Sequence, residues 1–150
     1  MARRSDRLAQ FRDLPLFAGC TAEELEEIDH LADEVHVPEG RVVLRQGDLG
    51  QEFALIVDGE AEVVKDGEIV AVLGPGDYFG EVALLDSITR TASVRAKTDM
   101  VLQVLDRRGF NTLLDDQPRL ARSMLKGLAH RLAELEDSNE QLRADAAKRS

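Results

Sequence analysis

Cysteine is almost absent from this 150-residue chain. Cys20 stands alone, which excludes an internal disulfide and any metal site built from several thiolates. Histidine is scarce as well: His30, His36 and His130 lie far apart and share no metal-ligand spacing, so a cupin-like metal centre is not expected. Basic residues are in deficit, with 19 Lys and Arg against 29 Asp and Glu and a net charge of -10. A duplex DNA binder presents a basic face to the phosphates, and an anionic membrane surface attracts basic segments, so neither is an expected partner. A local basic pocket inside an acidic protein stays compatible with that balance. No run approaches the ~20 apolar residues of a membrane span, and the opening MARRSDRLAQF has no apolar stretch of the kind a secretory signal needs. These absences predict a cytoplasmic protein. Its length and 43% hydrophobic content suit one domain with a real core.

What is present falls into three zones. Residues 1–34 read as a helical segment. Thr21 precedes AEELEEI with Glu24 three residues on, a capping box, and Leu25, Ile28 and Leu31 then recur at helical spacing. Residues 35–106 change character. Runs such as RVVLR, EFALIVD, AEVVK and MVLQVLD alternate with QGD, KDG and GPGD, the pattern of short strands broken by turns in an all-β sandwich or barrel. Asp66-Gly67 predicts a hairpin turn, because that pair tolerates positive φ. Residues 107–150 read as helices again, with Pro118 near the start of the last, where a missing N–H does no harm. The fold class is thus mainly β with flanking helices.

The last helix carries a seven-residue repeat. Leu125, Leu132, Asn139 and Ala146 fall at a positions, and Ala121, Leu128, Leu135 and Leu142 at d positions, with Arg131 at g and Glu136 at the following e. This predicts a short parallel coiled coil, hence a homodimer. The alternative is an amphipathic helix packed on its own β core.

The stretch YFGEVALLDSITRTASV, residues 78–94, carries the chemistry. Gly80-Glu81 opens a short helical turn, and the first N–H groups of such a turn have no internal partners. A phosphate there would meet backbone donors near Val82 and Ala83, and the planar fork of Arg90 complements it. Thr91 adds a hydroxyl, and Ala92 keeps the wall small. Glu81 beside a phosphate site has a reason to be there if it bonds a ribose hydroxyl, as acidic residues do in dinucleotide-binding folds. The competing reading is a mutual Glu81–Arg90 salt bridge or a pair of idle surface charges. No P-loop lysine, metal-binding Asp pair or nucleophile–base pair accompanies the set, so binding is expected and catalysis is not.

FGEVALL…TRTASVRA resembles the phosphate-binding cassette of the cyclic nucleotide-binding domain family, which includes catabolite-activator-type regulators, regulatory subunits of cAMP-dependent kinase and cyclic-nucleotide-gated channels. LPLF, RVVLRQGD, FALIVDGEAEVV and LGPGDYFGE also sit where the family has equivalents, so the likeness runs from about Leu14 to Leu135. It implies an eight-stranded β-roll between N-terminal helices and a C-terminal lid helix, with the cassette at residues 79–92. Carried over, Glu81 would bind the ribose 2′-OH, and Arg90 the cyclic phosphate, helped by the backbone of Gly80, Val82 and Ala83. Thr91 and Ala92 follow that arginine, and Val63, Leu73 and Phe79 match apolar positions against base or ribose. Ala71 matches another that is often larger. Arg131 and Leu135 fall where the channel branch caps the base.

The implied ligand is cAMP, with cGMP open because Thr91 can bond a guanine amino group; no cofactor or metal is called for. Catabolite-activator-type regulators follow the lid helix with a winged helix-turn-helix, which these 150 residues do not contain, so direct DNA binding is not expected. The expected role is a regulatory module that signals through its last helix. The alternative is a coiled-coil interaction module, docking on a protein effector, in which nucleotide is structural or cGMP is preferred. An enzyme acting on cyclic nucleotides is the weakest reading, for want of a metal cluster or base.

Overall fold

A computed structural model of the chain describes the backbone of residues 4–86 and 88–149, and their side chains except at 4–6, 82, 88 and 149. Three helical pieces come first: α1 (Arg4–Asp13), a 3-10 turn (Pro15–Phe17) and α2 (Ala22–Leu31). The capping box forms as expected. The Thr21 hydroxyl accepts from the Glu24 amide at 3.2 Å, and the Glu24 carboxylate accepts from the Thr21 amide at 2.9 Å. Arg7 clamps α1 to α2 through both oxygens of the buried Asp29 carboxylate, at 3.1 and 3.2 Å.

Among the described residues ten strands follow: β1 (Asp33–Val37), β2 (Val42–Leu44), β3 (Leu49–Gly50), β4 (Glu52–Asp58), β5 (Ala61–Lys65), β6 (Glu68–Leu73), β7 (Tyr78–Phe79), β8 (Ile88–Thr89), β9 (Ser93–Ala96) and β10 (Met100–Asp106). Eight of them make two four-stranded antiparallel sheets, ordered β1-β10-β4-β7 and β2-β9-β5-β6; β3 and β8 pair separately. This is the mainly β architecture with flanking helices, and the two sheets supply the eight strands of the roll. The β5–β6 hairpin turns where the sequence places it. Asp66 and Gly67 have φ of 52° and 83°, the left-handed pair that a tight two-residue turn requires.

The unbroken apolar runs of the β zone have a simple cause. Successive residues of a strand point to opposite faces, and β4 is covered on both. Phe53 and Leu55 join a core shared with the helices, while Ala54 and Ile56 join a second core inside the roll. Leu105 of β10 belongs to the first core, and Met100 and Leu102 to the second. The centre of the first core is Phe17. Its ring meets Phe11, Phe53 and Phe110 edge-on at centroid distances of 5.9, 6.0 and 6.0 Å. Cys20 lies at the edge of this core, where burial and the nearby Glu24 push its thiol up to about 12.

After β10 come α3 (Arg107–Asp116) and α4 (Pro118–Arg149). Pro118 is the first residue of α4, as its lack of an N–H favours. The 32 residues of α4 extend about 48 Å. Only the first part is held by the body: Leu120 and Met124 are buried and Leu128 packs against the helical core. From Ala129 to Arg143 every side chain is exposed.

Candidate functional site

The 78–94 stretch folds as a loop around a cavity of about 330 Å³. β7 brings Phe79 in by pairing with Ala54 of β4, and β8 and β9 bring Arg90, Thr91 and Ala92 to the opposite wall. Gly80 and Glu81 line the cavity between them, and Val63 on β5 contributes an apolar surface. Leu44, Tyr78, Thr89 and Val94 also line it, and the sequence reading did not single them out as site residues. For Tyr78 a signal existed, since it adjoins Phe79 in the motif, but alternation along β7 would have turned one of the two away.

Arg90 is set with unusual care for an arginine. Its own backbone is tied to the loop before β3: Gly47 N–H donates to its carbonyl at 2.8 Å, and its N–H donates to the Asp48 carbonyl at 2.7 Å. The guanidinium then passes between two glycines. A Cβ on Gly50 would lie 2.5 Å from Arg90 Nε, and one on Gly80 would lie 2.7 Å from Nη1. Gly80 also has φ of 81°, a region that other residues seldom adopt. Both glycines are therefore needed for the arginine to lie where it does. Arg90 is 7% exposed, and Nη2 donates to the Glu52 carbonyl at 2.7 Å. Burial lowers its pKa from the ordinary value, and the Glu52 charge opposes that.

Glu81 faces elsewhere. Its Oε1 accepts from the backbone N–H of Leu16 at 3.0 Å, so the carboxylate is tied to the N-terminal 3-10 turn. The phenol of Tyr78 also meets it; burial, followed by the charge and hydrogen bonding of Glu81, raises the Tyr78 pKa, while Arg131 acts in the opposite direction. None of the ion pairs among the described residues joins Glu81 to Arg90. The simple salt-bridge reading of the two charges is thereby removed. What remains is a desolvated guanidinium bonded to a neutral carbonyl on one side of a cavity, and an acceptor-only carboxylate elsewhere on its lining.

Three expectations need adjustment. The short helical turn forms at residues 81–84 as a 3-10 turn, but the Ala83 amide donates to the Gly80 carbonyl at 3.0 Å. That amide is thus spent inside the turn, and Ala83 is fully buried. The side chain of Val82 lies outside the described residues. Leu73 packs against the core inside the roll and does not line the cavity, and Ala71 is exposed. Arg131 and Leu135 are exposed on α4 and are not in the lining; Arg131 donates to Glu134 at 3.4 Å, and its charge acts on Tyr78, which does line the cavity. Among the described residues, no group of three or more His, Cys, Asp or Glu is placed to hold a metal ion, and no helix is long and apolar enough to cross a membrane.

A family model for the cyclic nucleotide-binding domain matches residues 34–117, the segment that contains the cavity and both sheets except Asp33, the first residue of β1. The chain belongs to this family. It is 41% identical over 112 residues to a cAMP-dependent protein kinase regulatory subunit of Schizosaccharomyces pombe, an alignment covering 74% of the chain and 27% of that protein. It is 34% identical over 125 residues to the cyclic AMP receptor protein of Thermus thermophilus, covering 80% of the chain and 58% of that protein. The chain therefore spans about a quarter and somewhat over half of these two relatives. Among solved structures, the N-terminal domain of a transcriptional regulator from Streptomyces coelicolor A3(2) superposes with a TM-score of 0.77 at 29% identity, covering 85% of this chain and 95% of that one. The cyclic nucleotide-binding domain thus accounts for the roll, the cassette and their order along the chain.

Proposed function

We propose that this cyclic nucleotide-binding domain takes cAMP in the cavity beside Arg90 and acts as a regulatory module, not an enzyme. The observation that carries this is the state of Arg90. A guanidinium buried among backbone groups has lost most of its hydration, and a carbonyl repays little of that loss. A phosphate restores it with two parallel charge-assisted bonds. The remaining wall suits the rest of a nucleotide: Val63, Phe79 and Val94 are apolar, and Glu81 supplies an acceptor for a sugar hydroxyl. Two cAMP-named relatives support the choice of ligand. Isothermal titration of the chain with cAMP, cGMP and 5′-AMP tests it. Saturable binding of cAMP is expected, with cGMP weaker or comparable through Thr91; heat changes no different from buffer with all three would remove the proposal.

The exposed half of α4 supports self-association as the second part of the role. Leu132, Leu135 and Leu142 are 58%, 47% and 66% exposed, and they fall on the repeat with Asn139. A second copy in parallel would cover this seam and set Arg131 near Glu136 of its partner helix. Sedimentation velocity is expected to give a dimer that Leu132→Lys combined with Leu142→Lys converts to monomer while cAMP affinity is kept. A monomeric parent chain at ~100 μM would remove the dimer.

A further inference from the structure

The backbone of Arg90 is framed by residues 45–48, the loop between β2 and β3. Gly47 donates to the Arg90 carbonyl, and the Arg90 N–H donates to the Asp48 carbonyl. Among the described residues β3 and β8, on either side of this contact, pair with each other and belong to neither four-stranded sheet. The position of Arg90 therefore depends on what ties the loop to a sheet. We propose that Gln46 is that tie, a positioning residue that sets the Arg90 guanidinium for the ligand's phosphate without touching the ligand. This rests on the nucleotide reading of the cavity and names a remote residue that sets its anion site.

Gln46 makes three hydrogen bonds to the β2-β9-β5-β6 sheet. Its N–H donates to Ser93 Oγ on β9 at 2.9 Å. Its side-chain amide pairs reciprocally with Asp66 at the β5–β6 turn: Nε2 donates to Asp66 Oδ1 at 2.8 Å, and Oε1 accepts from the Asp66 N–H at 3.0 Å. An amide engaged through both ends cannot rotate without losing both bonds. Its anchor is firm as well, because Asp66 holds φ of 52° in a tight turn.

Gln46 and Asp66 are exposed, so water competes for these bonds and their effect on folding is small. Their effect on Arg90 is larger for a geometric reason. Gly47 and Asp48 follow Gln46 directly, so a displaced residue 46 displaces the backbone from which the arginine extends. The guanidinium has little room to compensate, since it is confined where a Cβ on Gly50 or Gly80 would lie 2.5 or 2.7 Å away. A bidentate bond to phosphate is directional and loses strength when its fork is displaced. Gln46 itself is absent from the cavity lining.

Calorimetry of the full chain with cAMP tests the assignment. Gln46→Ala is expected to raise Kd about three- to tenfold, with the melting midpoint of the unliganded chain within about 4 °C of the parent. Asp66→Asn keeps an acceptor for Nε2 and is expected to keep the parent Kd. In the Arg90→Ala background, Gln46→Ala is expected to change Kd by less than about 1.5-fold, because the group it positions is gone. A parent-like Kd for Gln46→Ala would overturn the inference and leave the binding site intact. So would an equal rise in both backgrounds, which a general loosening of the fold would give. Should Gln46→Ala fail to fold, Gln46→Glu sets a carboxylate against Asp66 in place of the amide; the same rise is expected, and an unchanged Kd would overturn the inference. Absence of cAMP binding by the parent chain would overturn both readings.

Discussion

Arg90→Ala is expected to weaken cAMP binding by about 1.5–3 kcal/mol, a roughly ten- to hundredfold rise in Kd. The size follows from burial. At 7% exposure the guanidinium meets an anion in surroundings where water competes little, and alanine leaves nothing in its place to bond the phosphate. Arg90→Lys is expected to recover only part of the loss, because an ammonium keeps the charge but not the planar fork. Without ligand the two effects of Arg90→Ala oppose each other. The bond to the Glu52 carbonyl goes, but so does the cost of holding a desolvated cation whose recorded hydrogen bond is to a neutral group. Folding stability should therefore change by no more than about 1 kcal/mol. The diagnostic pattern in a thermal melt is a nearly unchanged midpoint without cAMP and a lost upward shift with it. Calorimetry giving the same Kd for Arg90→Ala and the parent chain would place the phosphate elsewhere.

The largest effect on folding is expected at Phe17, whose replacement by alanine should cost about 3–5 kcal/mol. Phe17 is fully buried, and its ring is the one that touches α1 through Phe11, β4 through Phe53 and α3 through Phe110. Truncation leaves a void bounded by three separate elements, which cannot all close on it at once. For a chain of this length the melting midpoint should fall by on the order of 10 °C. The loss should be visible in urea as a lower midpoint with little change of slope, since the unfolded surface is almost the same. A loss below about 1 kcal/mol would mean that the helical cap is not packed on the roll through this ring.

Much of this was legible in the residues because the signals are local. The Thr21–Glu24 box needs four residues, the Asp66-Gly67 turn needs two, and Pro118 marks a helix start by itself. The cassette is nearly as local: Gly80, Glu81, Arg90, Thr91 and Ala92 lie within thirteen residues and do converge on one cavity. The missing parts are tertiary. Glu81 finds its acceptor role with an amide 65 residues earlier, and no side-chain pattern announces a backbone donor. The backbone contact between Gly19 and Gly127 of α4 is equally silent, since two glycines far apart look like any others until a Cβ is placed on them. The Ala83 amide was expected to be open because the first donors of a short helical turn have no internal partners; the i→i+3 bonds of a 3-10 turn use it. Arg131 and Leu135 were read as residues over the ligand; in this structure both are exposed on α4, outside the cavity lining, with the Arg131 charge acting on Tyr78 of that lining.

Arg90 and Glu81 are held by different parts of the molecule. Arg90 is fixed by the loop before β3 and by two glycines, so its guanidinium is positioned without any ligand. Glu81 is held by the 3-10 turn that carries Leu16.

The most direct test of the central claim is a crystal structure of the chain with cAMP. The account predicts the cyclic phosphate within about 2.7–2.9 Å of the Arg90 guanidinium nitrogens, with the ribose 2′-OH against the Glu81 carboxylate. A nucleotide bound away from Arg90, or a phosphate in the cavity with no contact to that guanidinium, would contradict it.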